Sequence, residues 1–308
     1  MWGVMVVAIM AAGPPTDQGI PKGARLHVLL VAIDIFNSRF MTDLDCSVGS
    51  ANGIATALAL QKKLYADISI RKLYNKDATR SAIKRELDAL SKAIRPDDRC
   101  VILFSGHGIV ESTKNDEGET IYVDKKPILI PHSYIYHCVN YSPKLPETHF
   151  TARNFYDSLA KFNGHVLLLL DACNCGALPI VYSDPARRRD IGLARLAIIT
   201  SCELGQECLE PAEATKKVEF VSRSGREYKS HDDLGSCSFF AVAVIKALRE
   251  GSRPVTPRTL FDKVRTGQEA ALAAAGVKKG GRYEERIYSP TARLPFGSDW
   301  QPARLPLK

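Results

Sequence analysis

The 308-residue sequence has no apolar run of the ~20 residues that a membrane-spanning helix requires, so no such span is expected. No CxxC pair occurs, which removes the zinc-ribbon and thioredoxin-like readings. Neither G-x-G-x-x-G nor G-x-x-x-x-G-K-[ST] follows a strand-like run, which disfavours a nucleotide-binding protein. Internal repeats are missing. So is any basic stripe interleaved with aromatics; only Arg187, Arg188 and Arg189 form a tight cationic run, and nucleic acid is not an expected partner. No Lys or Arg precedes the apolar stretch WGVMVVAIMAAG, as a secretory leader would normally have. Residues 1–23 therefore read as an N-terminal extension ending in a Pro- and Gly-rich linker. Secretion follows only if residues 1–13 are a signal peptide; the expected compartment is the cytoplasm.

What is present is ordinary for a globular protein: 45% hydrophobic and 25% charged residues. The net charge of +8 and pI near 9.0 favour solubility or acidic partners. Eight cysteines, several inside apolar runs, fit a reducing compartment in which a thiol packs as a small hydrophobe.

Apolar strand-like runs alternate with helical periodicity. RLHVLLVAID (25–34) reads as a buried strand, residues 50–65 as a helix through Ile54, Leu58, Leu60 and Leu64, and ISIRKLY (68–74) as a strand. Asp77 is the expected N-cap of a helix carrying Ala82, Ile83, Leu87 and Leu90, and CVILFSG (100–106) is the next strand. A polar insert after it reads as a β-hairpin turning near Asn115–Gly118. Residues 149–162 read as a helix, 166–172 and 193–201 as core strands, and 238–250 and 256–276 as helices. RIYSPTA (286–292) is the expected last strand. The order β-α-β-α-β predicts an α/β fold, a doubly wound, mostly parallel sheet with helices on both faces, in one domain over 24–292 with a Pro-rich tail at 293–308.

Two apolar runs end in a reactive side chain: FSGHG (104–108) in His107, and LLDACNCG (169–176) in Cys173. Function collects at the carboxyl ends of strands in open α/β sheets. An imidazole beside a thiol can take its proton and return it to a leaving amine, the minimum for nucleophilic acyl transfer. Gly106 and Gly108 flank the imidazole and permit a tight turn and close substrate approach. The backbone N–H groups of Gly108 and Cys173 are the candidate oxyanion hole.

Strand-SGHG followed by strand-D-x-C-x-x-G resembles the caspase, metacaspase and paracaspase peptidases. ILIPH (128–132), ITSCELGQECLE (199–210) and GSCSFFAVAVIKALREG extend the resemblance over about residues 25–290. It implies a caspase-like α-β-α sandwich and a cysteine endopeptidase acting on protein or peptide substrates, with Cys173 as nucleophile and His107 as general base and acid. Cys175 is the rival thiol; the family spacing from Asp171 and Gly176 selects Cys173.

The same resemblance puts Asp171, Ser105 and Cys46 in the substrate pocket. The position two before the nucleophile is typically Gln in caspases and Asp in metacaspases, so Asp171 implies cleavage after Arg or Lys. The second acid of metacaspases falls here on Gly49 or Ser50, with Asp43 or Asp45 nearby. Arg39 is the cation that could support cleavage after Asp instead. Arg187–Arg189 is an expected self-processing site, and residues 203–234 are a second candidate for order–disorder control. No cofactor or metal is assigned: calcium stays open, because Asp116, Glu117 and Glu119 are too sparse for a calcium loop, and His132, His137 and Cys138 lack a second metal-spaced pair. A catalytically silent module that binds a partner is the alternative. Oligomeric state is left unassigned.

Overall fold

The computed structural model describes residues 20–123, 126–183, 196–208, 237–249 and 254–274, and the two-residue strands 220–221, 227–228, 292–293 and 303–304. In chain order its main elements are β1 (Leu26–Ala32), α1 (Ser47–Ala59), β2 (Ile68–Tyr74), α2 (Arg80–Ala93), β3 (Arg99–Ser105), β4 (Gly108–Ser112), β5 (Leu129–His137), β6 (His149–Thr151), α3 (Ala152–Leu159), β7 (His165–Asp171), α4 (Ala177–Ser183), β8 (Leu196–Thr200), α5 (Phe239–Arg249), α6 (Pro257–Ala274) and β9 (Ala292–Arg293).

All seven residues of β1 and all seven of β3 are buried, as expected of strands covered on both faces. The sheet runs β9-β8-β7-β3-β1-β2, parallel except for β9, which pairs antiparallel with β8. Alternate residues feed opposite layers. Leu29, Val31, Ile102, Phe104, Leu168 and Leu170 pack with α2, α3 and α4, whereas Val28, Leu30, Val101, Leu103, Leu167 and Leu169 pack with α1, α5 and α6. Helix α5 is apolar around its circumference, and nine of its eleven residues are buried, because it lies between the sheet, α1 and α6. The insert forms a small antiparallel sheet, β4-β5-β6, with the expected turn closed by Gly118 N–H donating to Asn115 C=O at 3.0 Å.

Several boundaries differ from the sequence expectation. Helix α1 starts three residues earlier and stops at Ala59, leaving Leu60 exposed. The α2 N-cap is Thr79, whose hydroxyl accepts from Ala82 N–H, while Asp77 lies in a preceding 3₁₀ turn. Residues 149–151 are strand because they pair with β5; α3 begins only after Thr151, which forms a capping box with Asn154. Of the expected last strand, only Ala292 is described, at the start of β9. Residues 1–13 and Arg187–Arg189 lie outside the described residues.

At the amino edge of the sheet, the buried Asp98 carboxylate accepts hydrogen bonds from Arg25 (N, Nε and Nη2, 2.8–3.1 Å) and Arg95 (N, Nε and Nη2, 3.0–3.3 Å), with His27 Nε2 at 3.4 Å. Burial alone would raise the Asp98 carboxyl, but these donors outweigh it and hold it well below the usual carboxylate range. Its stabilising contribution is in place above the ordinary carboxylate pKa and is lost as acid protonates it. Asp98→Ala removes the acceptor that the Arg25 and Arg95 main-chain N–H groups share and is expected to cost about 1–3 kcal/mol, read as a lower denaturant midpoint at pH 7.

Candidate active site

β3 and β7 end in register, Ser105 beside Asp171, and His107 and Cys173 each stand two residues beyond that pair. Gly106 N–H donates to Asp171 C=O at 3.1 Å, tying the two exits together. The contact at Gly108 is tighter. A Cβ there would lie 2.5 Å from the Cys173 carbonyl oxygen and 2.9 Å from the Tyr134 hydroxyl, so the turns carrying His107 and Cys173 meet backbone to backbone. Gly108→Ala is therefore expected to force them apart and lower kcat/KM about 100-fold, with little change in the far-ultraviolet spectrum.

His107 is half-buried, its ring centroid 5.1 Å from that of Phe36. Its Nε2 lies 2.9 Å from the Thr42 carbonyl oxygen. A carbonyl only accepts, so Nε2 carries the proton and the neutral ring keeps its lone pair on Nδ1. Burial lowers the His107 pKa, against the opposing effect of the Thr42 contact, so the ring is neutral at pH 7. The loop holding Thr42 is fastened by Asp34, whose carboxylate accepts from Ser47 N–H at 2.6 Å and Val48 N–H at 3.0 Å. Asp43 accepts from Phe36 N–H at 2.8 Å. Of the two acids near the pocket segment, Asp43 thus has a role within the loop.

Cys173 is half-buried and Cys175 fully buried. Burial pushes the Cys173 thiol up to about 11, partly offset by Cys208 N–H, which donates to its Sγ at 3.3 Å. At rest Cys173 is a thiol. Cys175 Sγ points inward, 3.5 Å from Leu170 C=O and 3.7 Å from Cys202 Sγ.

Asp171 is 4% exposed. It accepts from Ser238 Oγ at 2.6 Å and Ser105 Oγ at 3.3 Å, and the Cys208 thiol faces it as well. Ser50 Oγ in turn accepts from Ser238 N–H at 3.0 Å. Burial raises the Asp171 carboxyl to about 6, the Ser238 hydrogen bond opposing. Cys46 is the buried N-cap residue of α1, its carbonyl accepting from Ser50 N–H at 2.8 Å. Arg39 stands at the surface with its guanidinium 4.9 Å from the Phe40 ring centroid. Thus Asp171, Ser105 and Ser50 are gathered by one hydrogen-bonded chain, and Arg39 is not part of it. Sequence reasoning missed Ser238, whose segment GSCSFFAVAVIKALREG entered only as part of the family resemblance, and Thr42, which acts through a main-chain atom and leaves no residue-type signal.

His137 is buried and stacked on Tyr141 at 3.8 Å, and Cys138 is buried beside it in sequence. Among the described residues no cluster of three or more His, Cys, Asp or Glu is arranged to hold a metal ion.

Residues 28–281 match the family model described as the caspase domain of the C14 peptidases. None of the curated proteins matches the sequence. Among solved structures, protein GSU0716 from Geobacter sulfurreducens aligns at a TM-score of 0.51 and 14% identity, over 79% of this chain and 88% of that one. A structure of pro-sf-caspase-1 aligns at 0.51 and 11%, over 94% and 95%. Caspase-1 from Spodoptera frugiperda aligns at 0.49 and 12%, over 95% and 99%.

Proposed function

Because the chain belongs to the caspase-domain family of cysteine peptidases, we propose that it hydrolyses protein substrates through Cys173 and His107 and cuts after Arg or Lys. The observation that carries this reading is the register of Ser105 with Asp171, which sets both reactive turns side by side above a buried carboxylate.

In the proposed reaction the thiol proton passes to His107 Nδ1 as Cys173 Sγ attacks the scissile carbonyl carbon. The developing oxyanion accepts from the N–H groups of Gly108 and Cys173. As the carbon–nitrogen bond breaks, His107 gives that proton to the leaving amine and a thioester remains. His107 then takes a proton from water, whose oxygen attacks the thioester, and the proton returns to the departing Cys173 sulfur. Asp171 supplies the charge for a guanidinium or ammonium group, while Ser238 and Ser105 orient its oxygens.

Fluorogenic peptides ending in Arg, Lys or Asp test this directly. Arg and Lys peptides are expected to be cleaved, Asp peptides not; the reverse order would overturn the pocket assignment, and no cleavage of any would favour the silent module. Since the Asp171 carboxyl titrates near 6, kcat/KM for the Arg peptide should rise as pH climbs through that value and fall below it. The same preference makes Arg187–Arg189 a substrate for the enzyme itself. Intact mass spectra of the incubated chain should show a cut there that Cys173→Ala lacks.

A further inference from the structure

Three thiols outside the proposed dyad meet at the ends of β7 and β8. Cys175 Sγ lies 3.7 Å from Cys202 Sγ, and Cys202 Sγ lies 3.9 Å from Cys208 Sγ. A disulfide is about 2.05 Å long, so a side-chain shift of about 2 Å would join either pair. Exposure separates them: Cys175 and Cys202 are fully buried, whereas Cys208 is half-buried at the outer end of the loop that follows β8. Cys208 is also joined to the catalytic region twice. Its N–H donates to Cys173 Sγ at 3.3 Å, and its thiol faces the Asp171 carboxylate and the Ser201 hydroxyl. The Tyr134 hydroxyl, which adjoins the Gly108 backbone, is buried and has no hydrogen-bond partner among the described residues.

We propose that Cys208 and Cys202 form a reversible disulfide, made by hydroperoxides, that locks residues 202–208 over Cys173 and silences the site. The silencing rests on the peptidase reading; the bond does not. In the first step Asp171 takes the Cys208 proton and the thiolate attacks the peroxide, breaking its O–O bond. Cys208 becomes a sulfenic acid, and the leaving hydroxide takes back the proton as water. Cys202 sulfur then displaces the second oxygen as water and the disulfide forms, so one peroxide oxidises two thiols. Cys208 leads because it is the one residue of the three that is not fully buried, and Cys202 resolves because its sulfur lies 3.9 Å away within the same short loop. The closed seven-residue ring holds Cys208 N–H on the Cys173 sulfur, where a substrate carbonyl has to approach.

Reduced full-length protein is treated with hydrogen peroxide, blocked with N-ethylmaleimide and digested with trypsin. The peptide spanning residues 196–216 contains Cys202 and Cys208 and no other cysteine. It is expected to be two hydrogens lighter and unlabelled, and to take two labels after dithiothreitol. Hydrolysis of the Arg peptide should fall about tenfold or more and recover with the reductant, within the 5- to 150-fold range usual for coupling between a switch and a site. Cys202→Ser and, independently, Cys208→Ser should abolish the light peptide and the reversible loss. Two labels retained after peroxide, or a bond joining Cys175 to Cys202 or Cys173 to Cys208, overturns the proposal. So does a reversible loss that persists in both variants, which would mean direct oxidation of Cys173. A light peptide from protein that cleaves no substrate even when reduced sinks the peptidase reading and leaves the disulfide standing.

Discussion

Cys173→Ala is expected to lower hydrolysis of an Arg-ended peptide by about 10⁴-fold or more, and His107→Ala by a similar factor. The two act in one proton transfer, so the double variant should lose little beyond either single one. Cys175→Ala makes the contrast. Its sulfur is fully buried between Leu170 C=O, Ser201 and Cys202, so its loss is expected to cost about 1 kcal/mol of stability while leaving catalysis within a few-fold. Initial rates of the four variants against the parent, with thermal melts beside them, read both quantities. Activity that survives Cys173→Ala and disappears with Cys175→Ala would reverse the assignment of nucleophile.

Asp171→Asn should lower kcat/KM for Arg and Lys peptides about 100-fold, because breaking a buried, hydrogen-bonded charge pair costs about 2–5 kcal/mol. Asparagine keeps an acceptor for Ser238, so the loss measures charge rather than shape. Its second signature is the pH profile: the rise through about 6 should vanish, leaving only the His107 limb. Stability should move in the opposite direction. The folded protein raises the Asp171 pKa, so the native state holds this proton more tightly than the unfolded chain does and loses stability as pH climbs to about 6. Above that value Asn removes the cost of a buried charge, and the variant should melt at a higher temperature at pH 8 than its parent, with a smaller gap at pH 5. Equal melting differences at both values would show that the carboxylate is not desolvated as described.

The two turns that the fold brings together were legible as candidates because FSGHG and LLDACNCG close apolar runs, and the glycines beside His107 offer an imidazole no packing of their own. The central strands were legible for the same reason: a strand buried on both faces cannot carry polar residues at alternate positions, and β1 and β3 do not. Boundaries were not. Asp77 and Thr79 are both competent caps, and the 3₁₀ turn that consumes Asp77 depends on the left-handed Asn75, whose side chain accepts from Asp34 and Ile35 N–H across the sheet edge. Residues 149–151 have helical spacing, yet pairing with β5 outweighs it. Ser238 is one serine among many until folding brings it, 67 positions away in the chain, to 2.6 Å from Asp171. Cys208 has the same obscurity, since its contact with Cys173 is made by a backbone amide.

The Asp98 cluster bears on how this scaffold could be altered. It joins the starts of β1 and β3 at the amino edge, while the reactive turns leave from the opposite edge, seven residues or about 20 Å away. Strand alignment is thus anchored at a distance from every residue that would touch a substrate. The segments 34–46 and 201–208 can accordingly be exchanged for those of relatives with other preferences while the alignment of Ser105 with Asp171 is kept by the β3–β7 ladder and by His165 N–H donating to Asp98 C=O at 3.2 Å, bonds neither segment makes. A graft of that kind should be judged by its chemistry, because the scaffold's register is secured elsewhere.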